Sequence, residues 1–553
     1  MVRSRPDAKD EPAWFPFQLA FVLLSMQSTV DHTHSDRELL DLIWFPTGGG
    51  KTEAYLGLSC VVMFYRRLIA DGKEGGGGTA VLTRYTLRLL TLQQFERTTK
   101  VICACESVRR PLKEELGKEP FSIGLYVGKP ATPNKLEDAQ ELIDQRGAES
   151  SQTTLPVKAC PWCNTELKYE NQTVRNGRLI TRCVGKDCEF ANGIPFTCID
   201  EEIYSHPPSF LVGTIDKFAQ ITWEPTSGAI LGDPERKIPP PNLIIQDELH
   251  LISDSLGSIT GLYETAIDKI CESRGAIPKI IGSTATIKRA EGQTKKLFCR
   301  SAMQFPSSGI CQTDSFFYTE DTTIPGRLYV GVHAQGRSPK HTLPRVIALL
   351  KQFCASIKDD DARDIYHTLV CYFNSLRELG GALVLAEDDV PRYLTALAKG
   401  GYLPSGCTEA SVQPVKELTS SLSSAEITSI LEELKIKITD DNEDSDPIGL
   451  VLSTNMISVG VDVDRLGAMI VNGQPKTTSE YIQASSRVGR PRGSAGLVAT
   501  VYNWTRPRDR SHYERFVGYH RAFYKHGEAL TVTPFSARAR DRALHSVLVA
   551  ICR

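Results

Sequence analysis

The densest chemistry in this 553-residue chain lies in Phe45-Pro46-Thr47-Gly48-Gly49-Gly50-Lys51-Thr52. It stands between an apolar run, Leu42-Ile43-Trp44, and a helix-prone one beginning at Glu53. Strand, glycine turn and helix form the setting of a phosphate-binding loop. Glycines let successive backbone N–H groups curl around phosphate oxygens, and the helix start adds partial positive charge. Thr47, Gly48, Gly49 and Gly50 are therefore expected to cradle a nucleotide, with Lys51 neutralising its β and γ phosphates and the Thr52 hydroxyl binding Mg²⁺. Such loops usually begin on Gly or Ala, and here that position is Phe45.

A second constellation is Leu243-Ile244-Ile245-Gln246-Asp247-Glu248-Leu249-His250. An apolar strand ending in two acids places them at the carboxyl edge of a parallel sheet, beside the phosphate loop. Asp247 is expected to hold Mg²⁺ through water, and Glu248 to orient or deprotonate the attacking water. His250 is the candidate for coupling this site to a neighbouring segment. Gly282-Ser283-Thr284-Ala285-Thr286 follows the next strand; its hydroxyls are either that coupling partner or a plain polar turn.

Two later stretches complete the set. Ser453 to Asp462 follows another apolar run, and Gln483-Ala484-Ser485-Ser486-Arg487-Val488-Gly489-Arg490 comes soon after. Three-residue spacing puts Arg487 and Arg490 on one face of a helix, where they are candidates for arginine fingers opposite a γ-phosphate.

Four of the fifteen cysteines are paired by spacing: Cys160-Pro161-Trp162-Cys163, and Cys183 with Cys188. Two close pairs separated by a loop have zinc-ribbon spacing, each turn offering two thiolates toward one tetrahedron. The intervening sequence is too polar for a core of its own, so bound Zn²⁺ would supply its folding energy. The competing interpretation is a set of reduced surface cysteines. Four sulfurs leave no open position, so the role expected is structural or nucleic-acid contact.

The elements needed to position these groups are legible as apolar runs alternating with helical periodicity, the pattern of a parallel sheet covered on both faces. The expected fold class is α/β, with two RecA-like parallel-sheet domains and an inserted zinc-ribbon module. Residues 1–300 form the first domain with the module at 150–200, residues 301–340 a connection, and 341–507 the second domain. Residues 508–553 form a helical tail. Its Leu544, Val547, Leu548 and Ile551 share one helical face that calls for a partner. Ser423 and Glu426 have capping-box spacing at the start of a helix. The net charge of −2 and the 41% apolar and 24% charged composition are ordinary, and neither demands nor excludes a basic nucleic-acid cleft. No run is long enough to cross a bilayer and no leader pattern is visible, so the cytoplasm is the expected location.

In order and content these motifs resemble superfamily-two helicases of the DExH kind, from Phe17 to about Pro507. That resemblance implies ATP and Mg²⁺ as cofactors and nucleotide contacts from His250, Gly460, Asp462 and Gln483. Gln18, upstream of the loop, corresponds to an adenine-reading glutamine. It also implies contacts to one strand's phosphate backbone from Arg84, Thr214, Lys217, Asn374, Ser375, Thr419 and Thr454. More narrowly, Phe45 to Leu56, the Gln483–Arg490 stretch and Val532-Thr533-Pro534-Phe535 are similar to the helicase family of the DISARM anti-phage system. Phe45, Gln246 and Ser486 depart from the wider pattern. The family implies a larger protein, a protein partner and a defence role on DNA.

The function expected is thus an ATP-dependent translocase or helicase acting on single-stranded nucleic acid, DNA favoured. An ATP-gated sensor or assembly platform within a complex, and an RNA-remodelling helicase, share the same motifs.

Overall fold

The computed structural model describes residues 13–45, 49–70, 76–147, 150, 152–284, 290–307, 314–319, 323–403, 407–422, 424–439, 446–458, 463–491, 493–528 and 530–553. The chain divides into two compact units, Met1–Thr319 with Ala529–Arg553, and Glu320–Glu528.

The first unit contains strands β1 (Leu40–Trp44), β2 (Val81–Tyr85), β3 (Ile123–Tyr126), β4 (Gln172–Arg175), β5 (Arg178–Thr181), β6 (Phe196–Thr197), β7 (Phe210–Thr214), β8 (Leu243–Gln246), β9 (Lys279–Thr284) and β10 (Ala302–Phe305). Eight of them form one sheet in the order β10-β1-β9-β8-β2-β7-β3-β6, every neighbouring pair parallel. Leu243, Ile244 and Ile245 of β8 have no exposed surface, as expected of a central strand covered by helices on both faces. Helices α1 (Pro16–Val30), α2 (Lys51–Leu68) and α3 (Arg88–Arg109) belong to this unit. The antiparallel hairpin β4–β5 lies inside the four-cysteine segment.

The second unit holds β13 (Arg327–His333), β14 (Leu369–Phe373), β15 (Val415–Leu418), β16 (Leu450–Ser453), β17 (Ala468–Asn472) and β18 (Gly496–Tyr502), after two short strands, β11 (Asp314–Ser315) and β12 (Tyr318–Thr319), in the first unit. Its six strands are parallel throughout, in the order β13-β18-β17-β14-β16-β15. The fold class is therefore the one expected: two RecA-like parallel-sheet units, the first carrying an inserted cysteine module. The stretch 301–340 contributes an edge strand to each sheet, β10 and β13. Ser423 lies outside the described residues, and the helix there runs Ser424–Glu433.

The tail's expected apolar face is covered only in part. Helix Ala537–Cys552 packs on helix Asp254–Ser273 of the first unit and buries Ala539, Ala543, Val547 and Ala550, leaving Leu544, Leu548 and Ile551 exposed. Small alanines allow close approach of two helix backbones, and that selects the face, not the bulk of the leucines. Val532, fully buried, and the hydrogen bond from Asp254 N–H to the Thr531 carbonyl (2.8 Å) fix the approach.

Candidate functional site

The phosphate loop leaves β1 and enters α2 at Lys51; its Pro46, Thr47 and Gly48 lie outside the described residues. Gly50 caps α2 with φ +84°, a left-handed conformation that favours glycine. A Cβ there would stand 2.6 Å from Gln18 Nε2. Lys51 donates from Nζ to the Phe45 carbonyl at 2.7 Å, spanning the loop. Phe45 itself is buried and stacks on Phe17 with ring centroids 3.9 Å apart. The aromatic ring at that position thus anchors α1 to the root of the loop. Gln18 belongs to the same assembly: Nε2 donates to the Gly50 carbonyl at 2.9 Å and Oε1 accepts from Phe15 N–H at 2.9 Å.

At the carboxyl end of β8, Asp247 is buried; its Oδ2 accepts from the Tyr55 hydroxyl at 2.8 Å and its Oδ1 from Glu248 N–H at 2.8 Å. Burial, followed by the neighbouring Glu248 charge, raises the Asp247 pKa. Tyr55 Oη also lies 3.2 Å from Thr52 Oγ1. The two groups expected at Mg²⁺, Thr52 and Asp247, are therefore joined through one phenol. Sequence reasoning missed Tyr55; its only signal was a position one helical turn after Thr52, among apolar residues. Glu248 adopts φ +47°, ψ +47°, an unusual backbone for a side chain of its size and one that clusters at functional sites. His250 Nδ1 stands 3.4 Å from Glu248 Oε2 and 3.1 Å from Thr284 Oγ1. Ala285 and Thr286 lie outside the described residues.

The expected strand-contacting residues of the first unit have other occupations here. Arg84 has no exposed surface, and its guanidinium makes a two-pronged pair with Glu264 at 2.6 and 3.2 Å. Lys217 is buried, 2.5 Å from Asp200 Oδ2 and over the Tyr126 ring. Thr214 is buried at the end of β7. A buried cation needs a fixed counter-charge, and Glu264 and Asp200 supply it. Neither partner was recognisable in sequence.

In the second unit, Asn374, Thr419 and Thr454 each follow the carboxyl end of a strand, β14, β15 and β16. Asn374 donates to the Asn472 carbonyl at 3.2 Å; Ser375 is exposed and caps the next helix by accepting from Glu378 N–H. Thr419 and Thr454 are buried. Gly460 and Asp462 lie outside the described residues. Gln483 is buried on helix Thr478–Ser485. That helix ends before Arg487, so Arg487 and Arg490 do not share a helical face as expected. Arg327 takes the Ser486 and Val488 carbonyls, and Gly489 N–H goes to the Leu466 carbonyl, which turns the chain toward β18. Arg487 is buried and donates to the Ser458 carbonyl at 2.6 Å; Arg490 is half-buried.

The sulfur atoms of Cys160, Cys163, Cys183 and Cys188 lie within 4.8 Å of one another. Their closest pairs, Cys163–Cys183 and Cys160–Cys188, are 3.4 and 3.8 Å apart, near the separation of about 3.8 Å that four Zn–S bonds impose. A Cβ on Gly185 would stand 2.9 Å from Cys163 Sγ, so the second turn closes over the cluster only with glycine. This donor set fits a tetrahedral zinc ion. Cys198 is buried elsewhere, against the Thr154 carbonyl.

Comparison with known proteins agrees with this layout. Residues 403–492 match the helicase conserved C-terminal domain. The chain is similar to the DISARM protein DrmA of Bacillus paralicheniformis, 43% identical over 601 residues, which cover 99% of the chain and 53% of that protein. It thus spans about half the length of this curated relative. The fold resembles the DUF1998 helicase MrfA bound to DNA (TM-score 0.56, 13% identity, 100% of this chain and 54% of that one). It also resembles Mss116p bound to ssRNA and AMP-PNP (TM-score 0.52, 12% identity, 97% and 78%). The chain therefore shares the fold of these solved helicases and is similar along almost its whole length to a DISARM protein. Among the described residues no helix is long and apolar enough to cross a membrane.

Proposed function

From the likeness to DrmA and the geometry of the first unit, we propose that this chain is an ATP-hydrolysing motor of the DExH kind, acting on nucleic acid in anti-phage defence in the cytoplasm. The observation that carries the reading is the meeting of Thr52 and Asp247 at one buried phenol, beside a phosphate loop whose Lys51 spans it. Backbone N–H groups of Gly49 and Gly50 bind phosphate at the start of α2, and Lys51 exchanges the Phe45 carbonyl for the β and γ phosphates. Thr52 and Asp247 hold Mg²⁺, which when bound neutralises charge developing on the phosphate oxygens. Glu248 orients the attacking water and takes its proton. Gln18 contributes to the purine end, and Gln483, Gly460 and Asp462 are the second unit's candidates for nucleotide contact. Arg487 and Arg490 are its candidates for neutralising the transferred phosphate. Asn374, Ser375, Thr419 and Thr454 are proposed contacts to one strand's backbone, with DNA the favoured strand because the DUF1998 helicase was solved with DNA. Cys160, Cys163, Cys183 and Cys188 hold a structural zinc, and a further protein of the defence complex is the proposed partner.

ATP turnover measured with single-stranded DNA, duplex DNA and RNA tests this reading. Stimulation by single-stranded DNA is expected, with Lys51→Ala inactive and Glu248→Gln binding ATP without turning it over. Turnover retained in Lys51→Ala would remove the site.

A second reading, an ATP-gated sensor, is favoured by one observation. Arg84 and Lys217, basic groups that a moving strand would meet, are both withdrawn into buried ion pairs. Stimulated ATPase without strand displacement or translocation would select it.

A further inference from the structure

We propose that Tyr55 is a positioning residue for the metal step: its hydroxyl links Thr52 to Asp247 and sets both for a divalent cation. This rests on reading the phosphate loop as an ATP site. Tyr55 is 1% exposed. Its oxygen stands 2.8 Å from Asp247 Oδ2 and 3.2 Å from Thr52 Oγ1. A phenol carries one proton, and the shorter contact to a carboxylate claims it. Tyr55 therefore donates to Asp247, and the Thr52 hydroxyl oxygen stands against the same phenol at 3.2 Å.

Two consequences follow for the cation. The contact with Tyr55 fixes the place of Thr52 Oγ1, an oxygen with lone pairs to offer a metal. The Asp247 carboxylate is held from both sides, by Tyr55 at Oδ2 and by Glu248 N–H at Oδ1, so its free lone pairs have a fixed direction. Tyr85, also 1% exposed, places its hydroxyl 3.4 Å from that of Tyr55 and closes the remaining side of the group. A ring without the hydroxyl would fill the same volume and make neither link, so the hydroxyl is separable from packing. Groups that orient metal ligands in this way change metal affinity or activity by about 10–100-fold when removed.

The test uses binding of a fluorescent methylanthraniloyl-ADP to the full chain, first in EDTA and then with saturating Mg²⁺. Tyr55→Phe is expected to bind metal-free nucleotide like the unaltered chain but to lose about tenfold of the tightening that Mg²⁺ brings. Tyr85→Phe, which removes a hydroxyl touching neither Thr52 nor Asp247, should keep the full tightening. The inference is overturned if Tyr55→Phe shows unchanged tightening. Equal loss with and without Mg²⁺ also overturns it, because Tyr55 would then be a packing residue. No binding by the unaltered chain would remove the ATP reading itself and this inference with it.

Discussion

His250 Nδ1 and Thr284 Oγ1 lie 3.1 Å apart, both side chains buried, so one hydrogen bond ties the acidic loop after β8 to the end of β9. The same nitrogen is 3.4 Å from Glu248 Oε2. The same imidazole nitrogen thus faces both the acid after β8 and the end of the neighbouring strand. Thr284→Val removes one of them. It is expected to lower nucleic-acid stimulation of ATP hydrolysis more than the basal rate, read as kcat with and without single-stranded DNA. Equal loss in both conditions would make Thr284 a packing residue and end the coupling role.

Arg84 and Glu264 form a buried pair, side chains 0% and 4% exposed. Burial raises the Glu264 pKa, and the Arg84 charge opposes that rise. Glu264→Ala strands a guanidinium in the core, at a cost of about 3–5 kcal/mol. The double variant Arg84→Met with Glu264→Met should recover most of that in denaturant melts. Strand binding by the double variant should keep its salt dependence. A slope of log K against log salt shallower by about one would return Arg84 to the phosphate backbone.

The two sheets were legible because their central strands are short apolar runs such as Leu243-Ile244-Ile245 and Leu450-Val451-Leu452, closed by groups that mark a carboxyl edge. The edge strands β10 and β13 were not, since Ala302-Met303-Gln304 and Arg327 to His333 mix polar and apolar residues, as half-covered strands do. Lys51, Asp247 and Glu248 stand out because their chemistry depends on local spacing. Tyr55 and Glu264 do not, because each matters through a partner about 190 or 180 positions away, a distance no periodicity encodes. Arg487 and Arg490 leave the shared helical face for a related reason: the turn after Ser485 is held by Arg327, from a remote strand.

His367, the last residue of helix Asp360–His367, has its pKa lowered to about 4, first by burial and then by the Lys351 and Arg465 cations. An unfolded histidine titrates near 6.5. Above that value both states are neutral and the fold pays no penalty. As pH falls from about 6.5 toward about 4, the unfolded chain takes a proton that the folded one refuses, so stability drops. Melting temperatures at pH 7.5, 6 and 5 should therefore fall more steeply in the parent than in His367→Asn. Parallel curves would show that His367 is not depressed.

The order of the cysteine module is expected to depend on a bound ion. Around the sulfurs, Phe190 is fully buried, Trp162 packs edge-on against it at 5.6 Å, and Arg110 at the end of α3 lies 4.5 Å from the Phe190 ring. Two aromatic side chains and a guanidinium are a small anchor for so polar a segment, whereas zinc bound by four thiolates contributes folding energy directly. Replacing Cys160 and Cys183 with Ser should take bound zinc from about one equivalent to none. Cleavage by protease should then appear between residues 160 and 190, where Phe190 and Arg110 no longer keep the segment against α3. The parallel sheet, with its own core, should resist. Native protein that carries no zinc and still resists protease there would remove the metal from this module and leave the cysteines as plain reduced thiols.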